Sequence, residues 1–120
     1  MPDPTALASV VVDRIASDVV VLHVSGELDT TSSSSLTAPL DTYVVPEQRA
    51  VVVNLGGVRF LGSAGLEALV LGQQRAARAE VDFVVVASSR AALRPIEATG
   101  LGSVFTILAS VDEAAERYTS

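Results

Sequence analysis

Ser63 is the residue of this chain best placed to take part in chemistry. It stands in the run Gly62-Ser63-Ala64-Gly65-Leu66, after the apolar stretch Ala50 to Asn54 and the pair Gly56-Gly57, and before the clearest amphipathic stretch of the sequence. Three chemistries compete for it. A short side-chain oxygen at a helix start can cap the helix by accepting a bond from a first-turn N–H. A serine nucleophile needs a strained Gly-x-Ser-x-Gly turn and a base. Here Leu61 occupies the first glycine position, and the one histidine, His23, lies within a strand pattern with no partner to propose. A phosphate-binding loop is mimicked in spacing by Gly57 to Ser63, but its essential lysine is absent from the whole chain. What remains is a serine that either caps a helix or is itself modified at an exposed turn. The N–H groups of a helix start favour an anion there, and flanking glycines let another backbone approach.

The other chemistry-bearing residue types are sparse. There is no cysteine, which removes disulfides, thiol redox chemistry and cysteine-ligated zinc, and a single histidine argues against His-based metal clusters and Ser-His catalysis. The balance of 8 basic to 14 acidic residues gives a net charge of −6, and every basic residue is arginine. Such a chain has no electrostatic footprint for nucleic acid. It also lacks the basic cluster that holds anionic membranes. No metal or cofactor is called for. Asp29 or Thr30 reads as a helix cap. Ser32 to Ser35 read as a polar first helical turn, although such a run could also attract kinases. Arg75, Arg78, Arg90 and Arg94 read as solvated helix faces, with Arg75 and Arg78 also able to pair with an acidic partner.

The elements that would position Ser63 follow from periodicity. Ser9 to Ile15 and Val19 to Ser25 have the spacing of a hairpin. Thr31 to Tyr43 carries Leu36, Leu40 and Tyr43 at helical spacing, with Pro39 expected to kink or divide it. Ala50 to Asn54 and Val81 to Ala87 are apolar runs suited to strands covered on both faces. Ser63 to Ala79 has one apolar stripe and one charged face, the pattern of a surface helix. Ser88-Ser89 caps a further helix to about Ala98, and Gly100 stops it. A short strand, Phe105 to Leu108, and a helix from Asp112 to Tyr118 capped by Ser110 complete the order.

Strands alternating with helices predict an α/β fold: one domain over residues 9–118, with a mostly parallel sheet of four to five strands, an N-terminal hairpin-like strand and about four helices. Residues 1–8 read as a mobile tail. Apolar residues make up 49% of the 120 residues, enough for a core, yet no apolar run approaches the roughly 18–20 residues of a membrane helix. Met1-Pro2-Asp3-Pro4 does not resemble a signal peptide, so a cytoplasmic address is expected.

Several segments, in this order and spacing, resemble the STAS domain family and, within it, the bacterial anti-sigma factor antagonists. Val24-Ser25-Gly26-Glu27-Leu28-Asp29 is similar to the family's apolar-x-Gly-Glu-Leu-Asp segment. Val51 to Asn54, with Val58-Arg59-Phe60-Leu61, resembles its central strand. Gly62-Ser63-Ala64-Gly65-Leu66 resembles its Asp-Ser-Ser/Thr-Gly-Leu motif. Thr99-Gly100-Leu101 with Phe105 and Ile107, and then Ala114-Ala115, resemble its C-terminal part.

The resemblance implies a regulatory protein rather than an enzyme. In such antagonists the first serine of the motif, here Ser63, is phosphorylated by a serine kinase of the GHKL type that is also the anti-sigma factor. The unphosphorylated antagonist binds that kinase and frees a sigma factor, the phosphorylated one lets go, and a PP2C-type phosphatase restores it. Gly62, Ser63, Ala64, Gly65 and Leu66, bordered by Asp29, would form the partner-binding surface. The sequence departs from the motif twice. Gly62 replaces Asp, removing a charge and a hydrogen-bonding group beside the acceptor. Ala64 replaces Ser or Thr, leaving Ser63 as the motif's only hydroxyl. A different use of the fold, in a lipid-transport ABC system or a stressosome-type scaffold, is the alternative.

Overall fold

The structure is a computed structural model that describes residues 8–119. The tail expected over residues 1–8 falls outside the described residues except for Ala8, which is buried in the main core.

Alternating β-branched residues make the sheet. Strands β1 (Ser9–Ala16), β2 (Val19–Leu28), β3 (Ala50–Leu61), β4 (Asp82–Val86) and β5 (Thr106–Leu108) lie side by side in sequence order. β1 and β2 form the antiparallel hairpin, and the other three pairings are parallel. Because successive side chains point to opposite faces, β2 sends Val20, Leu22 and Val24 to one side and Val19 and Val21 to the other. The first side is covered by α1 (Ser34–Tyr43), α2 (Ser63–Ala79) and α3 (Arg90–Ala98), through residues such as Leu36, Leu69 and Ile96. The second is covered by α4 (Val111–Thr119), through Ala114 and Tyr118. This is the single α/β domain expected, with four helices and a five-stranded, mostly parallel sheet.

The main departures lie at the strand ends nearest Ser63. β2 was expected to stop at Ser25, and Gly56-Gly57 to turn the chain after Asn54. Instead β2 runs on to Leu28 and β3 runs through both glycines to Leu61, pairing Glu27 with Phe60 and Leu28 with Leu61. The pairing shifts register twice on the way, which is how extra residues are absorbed into a ladder. Leu55 and Val58, three residues apart, consequently both face the main core. Gly26 takes φ 96°, a conformation open to glycine and strained for side-chain-bearing residues. Gly57 lies so close to β2 that a Cβ on it would come within 2.8 Å of the Ser25 Cβ.

Regular helix begins at Ser34, not Thr31, and Pro39 does not divide α1. α2 spans the residues expected of it. Ser89 and Ser110 cap α3 and α4 by accepting from the N–H groups of Ala92 and Glu113. Gly100 ends the α3 region at φ 74°, followed by a short 3-10 turn, Leu101–Ser103, that the pattern did not reveal.

Candidate functional site

Two neighbouring strand ends build the site. β2 and β3 are still paired at Leu28 and Leu61, and the Gly62 N–H donates to the Leu28 carbonyl at 2.9 Å. One residue beyond that bond, each chain leaves the sheet: Asp29 into a turn, Ser63 into α2. The structure thus brings together Asp29 and Ser63, separated by more than thirty positions in the sequence.

Gly62, not Ser63, is the N-cap of α2. Its carbonyl accepts from the Leu66 N–H at 3.0 Å, and no side chain caps the helix. Ser63 is the first helical residue and is exposed, and among the described residues its hydroxyl has no hydrogen-bond partner. The first alternative for Ser63, a structural cap, is therefore not what the fold uses. The first turn of α2 contains no acidic residue, so the positive end of the helix dipole is uncompensated there.

Gly65 and Leu66 are buried, and Ala64 is half-buried. These residues hold the turn from beneath. A Cβ on Gly65 would meet both the Leu28 Cβ and a Leu61 Cδ at 2.8 Å. Glycine there lets α2 press directly onto the two strand ends. A Cβ on Gly62 would meet the Phe60 ring at 2.9 Å, so the ring lies across the place a side chain at 62 would use. Phe60 itself is 50% exposed. The sequence reading did not count it among the site residues. Strict strand alternation would put Phe60 on the same face as buried Val58; the register shift between Gly26 and Glu27 inserts Arg59, sets Phe60 opposite Glu27 and leaves it outside, so no local pattern revealed it.

Asp29 organises the turn before α1. Its Oδ1 accepts from the Thr31 N–H at 2.9 Å, the Thr31 hydroxyl at 2.8 Å and the Ser32 N–H at 3.0 Å. The Thr31 hydroxyl first, then the Ser32 hydroxyl and the Thr31 amide, hold its carboxyl below the ordinary carboxylate value. Ser32, read from sequence as part of a solvated polar turn, is only 1% exposed. Its hydroxyl accepts from the Asp29 N–H at 3.0 Å, and its single proton is shared between the Glu27 carbonyl and Asp29 Oδ1. Asp29 therefore caps the turn that leaves β2, at the strand end beside the one from which Ser63 enters α2.

His23 lies away from this site. Asn54 Nδ2 donates to its Nδ1 at 2.9 Å, and its Nε2 is 3.5 Å from Asp13. Both ring nitrogens are engaged in a cluster on the sheet, out of reach of any role for Ser63 as a nucleophile. No three side chains of the metal-ligating acidic, histidine or cysteine types converge among the described residues. Arg75 is paired with Asp41 of α1 at 2.9 Å rather than left free. No helix among the described residues is long and apolar enough to cross a membrane.

Comparison with known proteins agrees with this fold. Residues 10–114 match the STAS domain. The anti-sigma-F factor antagonist RsfB of Mycobacterium tuberculosis is 31% identical over 114 residues, covering 95% of this chain and 91% of that protein. A crystal structure of an anti-sigma factor antagonist from Mycobacterium paratuberculosis superposes with a TM-score of 0.85 at 30% identity, covering all of both chains. The phosphorylated form of the Bacillus cell fate determinant SpoIIAA has a TM-score of 0.71 over 91% of this chain and 98% of its own, at 18% identity, a likeness of fold alone.

Proposed function

The chain belongs to the STAS domain family, and on that premise we propose that it is an anti-sigma factor antagonist whose grip on its partner ends when Ser63 is phosphorylated. The observation that carries this reading is the exposed, unengaged Ser63 hydroxyl at an uncapped helix start. The likeness to RsfB and to the mycobacterial antagonist structure supplies the class of partner. The protein is a binding module rather than an enzyme. Its partner is a serine kinase of the GHKL type that also restrains a sigma factor, and a PP2C-type phosphatase resets the switch. All three meet in the cytoplasm.

The physical logic is local. A phosphate brings about 1.5–2 negative charges and three strong acceptor oxygens. The first N–H groups of α2 and the helix dipole accommodate that charge within the domain. A partner surface that is acidic or apolar at this point does not. Phosphorylation then breaks the complex without unfolding the protein. Gly62, Ser63, Ala64 and the Asp29 turn form the contact, with Gly65 and Leu66 holding it from below.

The test is to incubate the purified protein with its cognate kinase and ATP and to measure intact mass. One phosphate is expected on the wild type and none on Ser63→Ala. Phosphate that persists after Ser63→Ala refutes the assignment of the site, and a kinase that neither binds nor modifies the wild type refutes the reading.

A further inference from the structure

Beside Ser63, on the other flank of Phe60, an open groove of about 340 Å³ runs between the end of β3 and α3. Arg59, Arg90 and Arg94 line it together with Phe60 and Pro95. Three of the eight arginines of a chain with net charge −6 are gathered here. Arg90 and Arg94 are exposed, and neither forms an ion pair among the described residues. Arg59 is held only by a long pair to Glu27, at 3.8 Å.

Fold stability does not explain this arrangement. Arg90 is the first residue of α3, whose first turn contains no acid. A cation at a helix N-terminus opposes the dipole, so the local preference would be Asp or Glu. Phe60, half in water at the centre of the basic groove, is also poorly placed for folding. Two local rules broken side by side, with no gain inside the domain, mark a surface shaped for something outside it.

We propose that this groove receives an acidic segment of the anti-sigma factor, with an apolar side chain of that segment seated on Phe60. Three arginines and no acid line this groove in a chain with 14 acidic and 8 basic residues, so the complementary occupant is acidic. The identity of the partner rests on the antagonist reading; the chemistry of the groove does not. The groove is also continuous with the Ser63 turn, since the Phe60 ring lies against Gly62. A phosphate on Ser63 would arrive next to the bound acidic segment and repel it. The groove thereby gives the switch its sign: phosphorylation expels this partner because the partner is negative where the phosphate lands.

The experiment uses the whole chain, isotopically labelled, and Arg90→Glu/Arg94→Glu. That double variant suits the α3 dipole better than the wild type, so a loss of binding is not a loss of the helix. Phe60→Ser tests the apolar anchor separately. The first probe is a short peptide of alternating Glu and Ser around a central Phe. It should shift the amide signals of Arg59 to Leu61 and Arg90 to Ala98 in the wild type, and the shifts should vanish in the double variant and fade with salt. The second probe is the anti-sigma factor itself, measured by calorimetry. Its affinity should fall at least about tenfold in the double variant, since opposed charges in a docked interface are costly. Peptide shifts elsewhere, or a single-stranded oligonucleotide that perturbs these signals when the peptide does not, would overturn the proposal. Equal affinity of the factor for wild type and double variant also overturns it while leaving the antagonist reading intact. A factor that fails to bind the wild type, while the peptide still fills the groove, overturns the antagonist reading and with it the named occupant.

Discussion

Replacing Ser63 with Ala tests whether its hydroxyl caps α2, and replacing it with Asp tests what a negative charge does there. If the hydroxyl capped α2, Ser63→Ala would cost about 0.5–2 kcal/mol, whereas Asp, an equally good cap, would not. In the structure Gly62 is the cap and the Ser63 side chain is unengaged, so nothing is lost. A carboxylate at the first position of an acid-free helical turn gains about 0.3–1 kcal/mol from the dipole. Asp29, ionised in the turn at the neighbouring strand end, opposes part of that gain through an exposed repulsion that salt screens. The net change therefore does not exceed a gain of about 1 kcal/mol. An unfolding entropy near 2.1 cal/mol/K per residue gives about 0.25 kcal/mol/K for 120 residues, so Tm should rise by no more than about 4 °C. Calorimetric melts at low and high salt measure this, and the gain should shrink as salt screens both charges. Titration of the same variant into the anti-sigma factor should meanwhile give an affinity at least about tenfold weaker. A Tm lowered by more than about 4 °C would refute the reasoning, because the weakened binding would then reflect a damaged fold.

Other substitutions probe the scaffold. Ser32→Ala leaves the Asp29 N–H and the Glu27 carbonyl without their buried partner and should cost about 1–3 kcal/mol in urea denaturation, whereas exposed Ser34→Ala should stay within about 0.5 kcal/mol. Gly65→Ala gains about 1 kcal/mol of helix propensity but forces a Cβ to within 2.8 Å of Leu28 and Leu61; overpacking of about 1–3 kcal/mol should win, giving a net loss of up to about 2 kcal/mol by the same measurement. Tyr118, its pKa pushed up to about 12 by burial and then by its hydrogen bond to Asp82, binds its proton more tightly folded than unfolded. Its contribution is complete below the unfolded value near 10 and is lost as pH rises towards 12, so urea midpoints should fall across that window in the wild type and fall less in Tyr118→Phe.

The parts of the fold set by local periodicity were legible in the sequence. The stripe of Leu66, Leu69, Val70, Gln73 and Ala77 marked the span of α2, although Ala76 and not Ala77 is the residue buried near its end, and the valine runs of β2, β3 and β4 specified buried strands. The parts set by pairing were not. Gly26 and Gly56-Gly57 carry the local signal of turns, yet they stay in the sheet because β2 and β3 continue to bond each other past them, absorbing the extra residues as register shifts. A cross-strand ladder is a tertiary interaction, and no window of residues around either glycine contains it. Ser32 was misplaced for a similar reason. Its composition is that of a solvated turn, while its position under Asp29 and Glu27 is fixed by the strand end to which that turn is attached. Ser63 was legible as an exposed serine at a helix start. That it does not cap the helix depended on the backbone geometry of Gly62.

Gly62 also bears on how sharp such a switch could be. An Asp at this position, as in the motif the sequence resembles, would bond the first N–H groups of α2 and place a negative charge beside the acceptor serine. Glycine is only a few tenths of a kcal/mol poorer as a cap, so the fold loses little. The electrostatic consequence is larger. With Gly62 and an acid-free first turn, α2 itself carries no carboxylate at its start, the negative charge of this region being that of Asp29 in the adjoining turn, and the Phe60 ring lies where a carboxylate at position 62 would be. A phosphate on Ser63 would then change the charge carried by the first turn of α2 from none to about −1.5 to −2, whereas beside an Asp in the helix start itself it would add to a charge already on that turn. A partner that docks an acidic segment against Phe60 would meet an uncharged helix end in one state and a dianion in the other. The same substitution removes a charge that could help a kinase orient the serine. On this reasoning the chain favours contrast between its two bound states over ease of modification, and the residues that provide the contrast, Gly62 and Phe60, lie one on each side of Leu61.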